Sequence, residues 1–162
     1  SRTFHVRWSN VSNPNSWALG EVVHEKGVVT NQEGTAKVEA KLAPGLYRYL
    51  EGDHALVQER AGDVGSEVVA AALGQRMLAR ASVTFVWTAV ISRTTGRYGE
   101  RGHRYIFLDA GHVGQNIYLA ATSLGYGCCA VAAFDDRAMN RVVGVDGEVE
   151  SAVYLASVGP PE

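Results

Sequence analysis

A chain of 162 residues that is 46% hydrophobic and 20% charged is long enough for one globular domain with a real core. A net charge of −2 gives no polyanion-binding balance, so nucleic acid is excluded as the expected partner. No apolar run approaches the roughly 20 residues of a membrane span, the start Ser1-Arg-Thr-Phe-His-Val-Arg-Trp8 lacks a signal-type hydrophobic core, and two cysteines make no secreted disulfide framework; a cytoplasmic protein is expected.

The first forty residues carry weak patterning. Asn10 to Ser16 is a cluster of turn formers that also suits the start of a short helix at Trp17, and Glu21-Val-Val-His-Glu25 reads as a strand. A loop or hairpin over Gly27 to Ala36 precedes an alternating edge strand, Lys37 to Lys41. Leu46–Leu50 and Ala55–Arg60 form a β-hairpin after the break at Pro44-Gly45. Gly65 to Leu73 is a helix with Ser66 or Asp63 as its cap and Gly74 near its end. Ser82 to Ile91 is dense in β-branched and aromatic residues and is the clearest strand. Arg93 to Gly102 reads as a polar, glycine-broken connector. A long helix over His103 to Ser123 follows, apolar around most of its circumference, which suits a central helix or an oligomer interface. A strand over Cys128 to Ala133 leads to a short helix over Asp136 to Val143, capped by Asp135 and ended by Gly144. A last strand runs over Ser151 to Val158. Strands and helices in this order predict an α+β fold around one sheet.

Motif by motif, much is excluded. Gly125-Tyr-Gly127 precedes a strand rather than a helix, so it is no dinucleotide fingerprint. The five histidines show no metal-ligand spacing with each other or with cysteine, and no metal is expected. Cys128 and Cys129 are neighbours, which strains any bridge between them, and strand alternation sends them to opposite faces; they read as reduced thiols. His112 is either a polar group facing a ligand or a subunit partner, or a hydrogen-bonded core histidine, and Gln115 and Asn116 are polar residues within an apolar helix. Arg97, Tyr98, Arg101, Arg104 and Tyr105 form a basic-aromatic cluster, either a solvated connector or an anion or substrate-gate surface.

Taken together, Arg97-Tyr-Gly-Glu-Arg-Gly-His-Arg-Tyr105, Leu108-Asp-Ala-Gly-His-Val-Gly-Gln-Asn-Ile-Tyr-Leu-Ala-Ala121 and Leu124-Gly-Tyr-Gly-Cys-Cys-Ala-Val131 resemble the nitroreductase superfamily, and within it the SagB/ThcOx-type dehydrogenases. Pro44 to Tyr49, Ala72-Leu-Gly-Gln75 and Tyr154 to Gly159 add to the likeness. The resemblance places residues 1–162 in a single nitroreductase-like domain, family-like over 42–159 and divergent over 1–41. It implies a central, mainly antiparallel sheet flanked by helices, with the long helix as the dimerisation helix of an intertwined homodimer. It also implies FMN at the subunit interface and oxidation of a peptide azoline or related substrate by hydride transfer to flavin N5. Gly125, Gly127, Cys128 and Cys129 are then the cofactor-binding candidates, because backbone N–H groups there approach a flat ring and stabilise its reduced charge. Tyr98, His103 and Tyr105 are catalytic candidates by residue type.

The pattern departs from the family at its start. The arginine-serine-arginine segment that holds the FMN phosphate there is matched only by Ser1-Arg-Thr3, which makes Arg2 the phosphate candidate, with Arg7 as a further early arginine. Pro160 stands where an arginine often follows the last strand. The rival expectation is therefore a flavin-free, shortened subunit of the same fold, acting as a partner, scaffold or non-redox enzyme, with a longer partner chain completing it.

Overall fold

The computed structural model describes residues 4–9, 21–24, 42–50, 53 and 55–161. Its elements are β1 (Phe4–Ser9), β2 (Glu21–His24), β3 (Gly45–Leu50), β4 (Ala55–Ala61), α1 (Gly65–Ala71), α2 (Arg76–Arg80), β5 (Val83–Val90), α3 (Ile91–Tyr98), α4 (Arg101–Ser123), β6 (Gly127–Val131), α5 (Asp136–Val143) and β7 (Glu150–Gly159). The strands form one sheet in the order β2-β4-β3-β1-β5-β7-β6. β1 runs parallel to both of its neighbours. The other four ladders are antiparallel, as expected of a mainly antiparallel α+β sheet. The expected elements at Asn10–Ser16, Trp17, Gly27–Ala36 and Lys37–Lys41 lie outside the described residues, as does Arg2.

The core follows from which face each strand buries. Val86, Leu155 and Val131 fall in one register row across β5, β7 and β6. They pack with Val64, Val68, Leu78, Met139 and Val143, so α1, α2 and α5 cover this face. The next residues along, Trp87 and Tyr154, point to the other face and meet at 5.7 Å between ring centroids. α4 lies over that face; a Cβ on its Gly114 would come within 2.9 Å of the Tyr154 ring, so the glycine sets how closely helix and sheet approach.

Helix ends match local chemistry in three cases and differ from expectation in two. Asp135 caps α5 by accepting the Ala138 N–H at 2.7 Å, and Gly144 ends it in the left-handed conformation. α4 ends at Leu124 with Gly125 at φ +76°. There Tyr126 N–H donates to Ala121 O and Gly125 N–H to Thr122 O, a paired closure that satisfies the last carbonyls. By contrast, the N-cap of α1 is Val64, and Asp63 accepts the Gly65 N–H instead of capping the turn. The expected connector after Ile91 is the helix α3. Its polarity is that of a surface helix leaning on α4, and its one break, Gly96, lies in open space.

Thr84 is fully buried, and its hydroxyl has no partner among the described residues. A buried unsatisfied hydroxyl costs about 1–3 kcal/mol. Thr84→Val, nearly isosteric, is therefore expected to raise stability by about 1 kcal/mol in urea denaturation. A loss of that size instead would reveal an acceptor for the hydroxyl in the native fold.

Candidate functional site

β6 forms one edge of the sheet, and its first residues are Gly127, Cys128 and Cys129. Residues of an antiparallel strand alternately turn their N–H and C=O toward and away from the neighbouring strand. Ala130 turns away from β7, since its N–H donates to the Tyr118 hydroxyl at 2.8 Å. Cys128, two residues earlier, presents its N–H along the same outer edge. Val158, opposite Cys128, faces the other way and its carbonyl accepts from Ser82 N–H at 2.9 Å. The Cys128 N–H thus has no protein acceptor among the described residues.

The same strand start lines an open cavity of about 330 Å³, together with Met77 and Arg80 of α2, Ser157 of β7 and the Pro160-Pro161 segment. That volume lies at the small end of ligand pockets. Ser157 Oγ donates to the Cys129 carbonyl at 3.2 Å and fixes the floor. Gln75 Nε2 donates to Ala72 O at 2.9 Å and Ala133 O at 2.7 Å, tying the turn before α2 to the end of β6. Both cysteines are free and half-buried. Burial, with Cys129 alongside, pushes the Cys128 thiol up from its ordinary range. The sign follows: the protonated thiol is the native form at neutral pH, and its stabilising share is lost as pH rises through the raised value.

The cofactor candidates divide by role. Gly125 is required by the left-handed end of α4. Gly127 is not sterically required, since a Cβ there would make only ordinary contacts, the nearest 3.5 Å from Pro161. The informative group is the backbone of Cys128. Arg7 lies in β1, three strand spacings from β6, or about 14 Å.

Of the catalytic candidates, Tyr98 and Tyr105 come together edge-to-face at 5.0 Å between centroids. His103 is exposed on the first turn of α4, and two residues of helix turn it about 200° away from Tyr105. His112 is not a core histidine: it is exposed, and its Nδ1 meets Leu108 O at 2.7 Å. Gln115 and Asn116 are exposed as well. The tyrosine pair and the Cys128 edge lie at opposite ends of α4. Eighteen residues at 1.5 Å each separate Tyr105 from Ser123, about 27 Å. One chain does not bring the two sets together.

Sequence reasoning passed over Tyr118, Ser157 and Gln75 as site residues. Tyr118 reads as one more apolar position of a helix; only the strand edge beside it reveals the role of its hydroxyl. A second cavity of about 260 Å³ on the α4 face, between Trp87, Thr88, Arg93 and Asp109, contains none of the residues singled out from the sequence.

Comparison with known proteins agrees with this architecture. The sequence profile of the Nitroreductase family matches residues 18–160. A protein bearing the nitroreductase name, MJ1384 of Methanocaldococcus jannaschii, is 41% identical over 115 residues, covering 71% of this chain and 57% of the relative. The trifolitoxin operon protein TfxC of Rhizobium leguminosarum bv. trifolii is 28% identical over 143 residues, 88% of this chain and 38% of its own length. The chain therefore spans little more than half of one curated relative and less than half of the other. A nitroreductase-type structure from Anabaena variabilis superposes with a TM-score of 0.69 at 32% identity, covering 72% of this chain and 24% of that one. The E. coli microcin synthetase McbBCD complex with truncated pro-MccB17 bound shares the fold, with a TM-score of 0.65 at 20% identity over 72% of this chain and 44% of that one. With its sheet, its long helix and a profile match over most of its length, the chain belongs to the nitroreductase family.

Proposed function

We propose that the chain is the flavin-edge portion of an FMN-dependent oxidoreductase acting on a peptide azoline or a related substrate, and that its site is completed by a second copy. The carrying observation is the unengaged Cys128 N–H, on the half-buried edge strand of the sheet beside a cavity, while the equivalent N–H of Ala130 is already met by Tyr118. FMN, when bound, supplies a ring that accepts a hydride from the substrate. The residues present fit such a ring: Cys128 offers a fixed donor where the ring gains negative charge, and Gln75 and Ser157 hold the surrounding backbone in place. A preorganised donor of this kind needs no reorganisation when charge develops.

Two features favour a shared site. Phe107, Leu108 and Leu119 expose apolar side chains on α4 and Leu124 does so just past its end, interspersed with exposed His112, Gln115 and Asn116. An antiparallel pairing of two such helices carries the Tyr98–Tyr105 pair of one copy to the Cys128 edge of the other. Tyr98 is then the hydroxyl in reach of a substrate proton. The peptide substrate is suggested by the neighbour bound to pro-MccB17 and by TfxC.

The experiment is an absorbance scan of purified protein with added FMN, followed by mixing of variants. A bound-flavin band at about 450 nm is expected. Tyr98→Phe and Cys128→Pro chains, each nearly inactive alone at an FMN concentration that just saturates the parent, are expected to regain about a quarter of the activity when mixed, as one of the two sites is intact in half of random dimers. No flavin uptake points to the flavin-free subunit, and no recovery on mixing refutes the shared site.

A further inference from the structure

Among the described residues, the cavity at the start of β6 has one charged side chain in its lining, Arg80 in the last turn of α2. The other groups there are poor partners for an anion. Ser157 has committed its proton to the Cys129 carbonyl. The two thiols are weak donors. Pro160 and Pro161 have no backbone N–H to give. Arg80 is therefore the strong donor and the positive charge of this lining. It has an interaction of its own in the structure, and a guanidinium carries five N–H donors, so that interaction and an anion can share it. Arg76, one turn earlier on the same helix, does not line the cavity.

The backbone fixes where Arg80 stands. Ser82 N–H donates to Val158 O at 2.9 Å, and a Cβ on Gly159 would come within 3.4 Å of the Arg80 carbonyl oxygen. The end of α2 thus lies against the end of β7. β6 is the next strand, with Gly127 opposite Gly159 and Cys128 opposite Val158. Arg80 therefore starts one strand spacing, about 4.7–4.9 Å, from the strand that carries the Cys128 N–H. Ser157 is two residues from Leu155 and shares its side of the sheet, the side covered by α1, α2 and α5. α4 lies on the other side, so a second copy seated along α4 leaves the exposed Arg80 open.

The two donors of the cavity differ in kind. A backbone N–H at Cys128 suits a flat ring that gains partial negative charge. A guanidinium suits a permanent dianion, which it takes through two parallel N–H···O bonds. We propose that Arg80 binds the phosphate of a phosphate monoester carried on a polyol chain, and so makes the cavity select the phosphorylated form of a flavin over the unphosphorylated one. The inference rests on the flavin reading only for the ring at the other end of that chain.

The test compares FMN with riboflavin, which has the same ring and polyol chain without the phosphate, by fluorescence quenching. FMN is expected to bind the parent chain at least about tenfold more tightly than riboflavin. Arg80→Ala is expected to abolish that preference and to leave riboflavin binding unchanged, whereas a loss of packing alone weakens both flavins together. Arg80→Lys keeps the charge without the fork and is expected to keep part of the preference. Arg137→Ala removes the same charge from α5 and is expected to behave like the parent. No preference for FMN in the parent overturns the proposal, as does an unchanged preference in Arg80→Ala or equal weakening of both flavins. If neither flavin binds the parent, the flavin reading fails and ribitol 5-phosphate decides. It is then expected to raise the melting temperature of the parent and not of Arg80→Ala, with ribitol raising neither. Without that difference the phosphate site falls as well.

Discussion

Leu155→Ala is expected to cost about 2–5 kcal/mol of stability, the range for removing a buried leucine side chain to its Cβ. Leu155 is fully buried at the middle of β7, with Val86 on one side and Val131 on the other in the same register row. α1, α2 and α5 close over that row, so no neighbour is free to fill the void. Domains of this size have about 5–15 kcal/mol in all, and each kcal/mol lost lowers the melting temperature by about 2–4 °C. Guanidinium titration of parent and variant gives the number directly. A cost below about 1 kcal/mol would show that the row collapses around the gap, and that the core does not centre there.

Cys128→Pro is expected to leave the fold intact and to weaken flavin binding by about 10- to 100-fold. Proline is tolerated on an edge strand where its missing N–H faces outward, because no ladder bond is lost. The Cys128 position meets that condition: the neighbouring outward N–H, Ala130, bonds to Tyr118 rather than to β7. A hydrogen bond to a charged group contributes about 1.5–3 kcal/mol, and 1.4 kcal/mol is a decade of affinity. Cys128→Ala keeps the N–H and removes the thiol, so it is expected to bind flavin like the parent chain. Flavin titration monitored by fluorescence quenching separates the two. Equal weakening in both variants would move the interaction from the backbone to sulfur.

Elements with a strong local signal were legible in the sequence. α5 was fixed at both ends by Asp135 and Gly144, whose roles depend only on neighbouring residues. The β-branched run of β5 and the alternation of β3 and β4 were equally plain. β1 carries no such signal: Phe4-His-Val-Arg-Trp-Ser9 mixes charge and apolar residues, and its place in the sheet depends on partners 41 or more positions away. α3 was hidden because Thr94, Thr95 and Gly96 are weak helix formers, and contact with α4 outweighs their propensity. At the site, the glycine and cysteine segment was visible from its composition. The reason for Gly125 was not, because a helix end and a ligand cradle both favour the same residue. The separation of Tyr105 from Cys128 was implicit in the length of α4, since a helix converts sequence distance directly into ångströms.

The insertion of β1 between β3 and β5 has a kinetic side. Phe4 pairs with Gly45 on one side and with Val83 on the other, both in parallel. Such ladders close long loops before they return any contact energy, and chains rich in them fold slowly. On a ribosome adding about 5–20 residues per second, the strand waits some 4–16 s between its own synthesis and that of β5. Within that interval the β3–β4 hairpin becomes available and β1 can pair with β3, while the other edge of β1 stays unpaired. The seam between β1 and β5 thus closes well after the β3–β4 hairpin, ahead only of the β7 ladders, and is a place where a stalled chain is open to pairing with another.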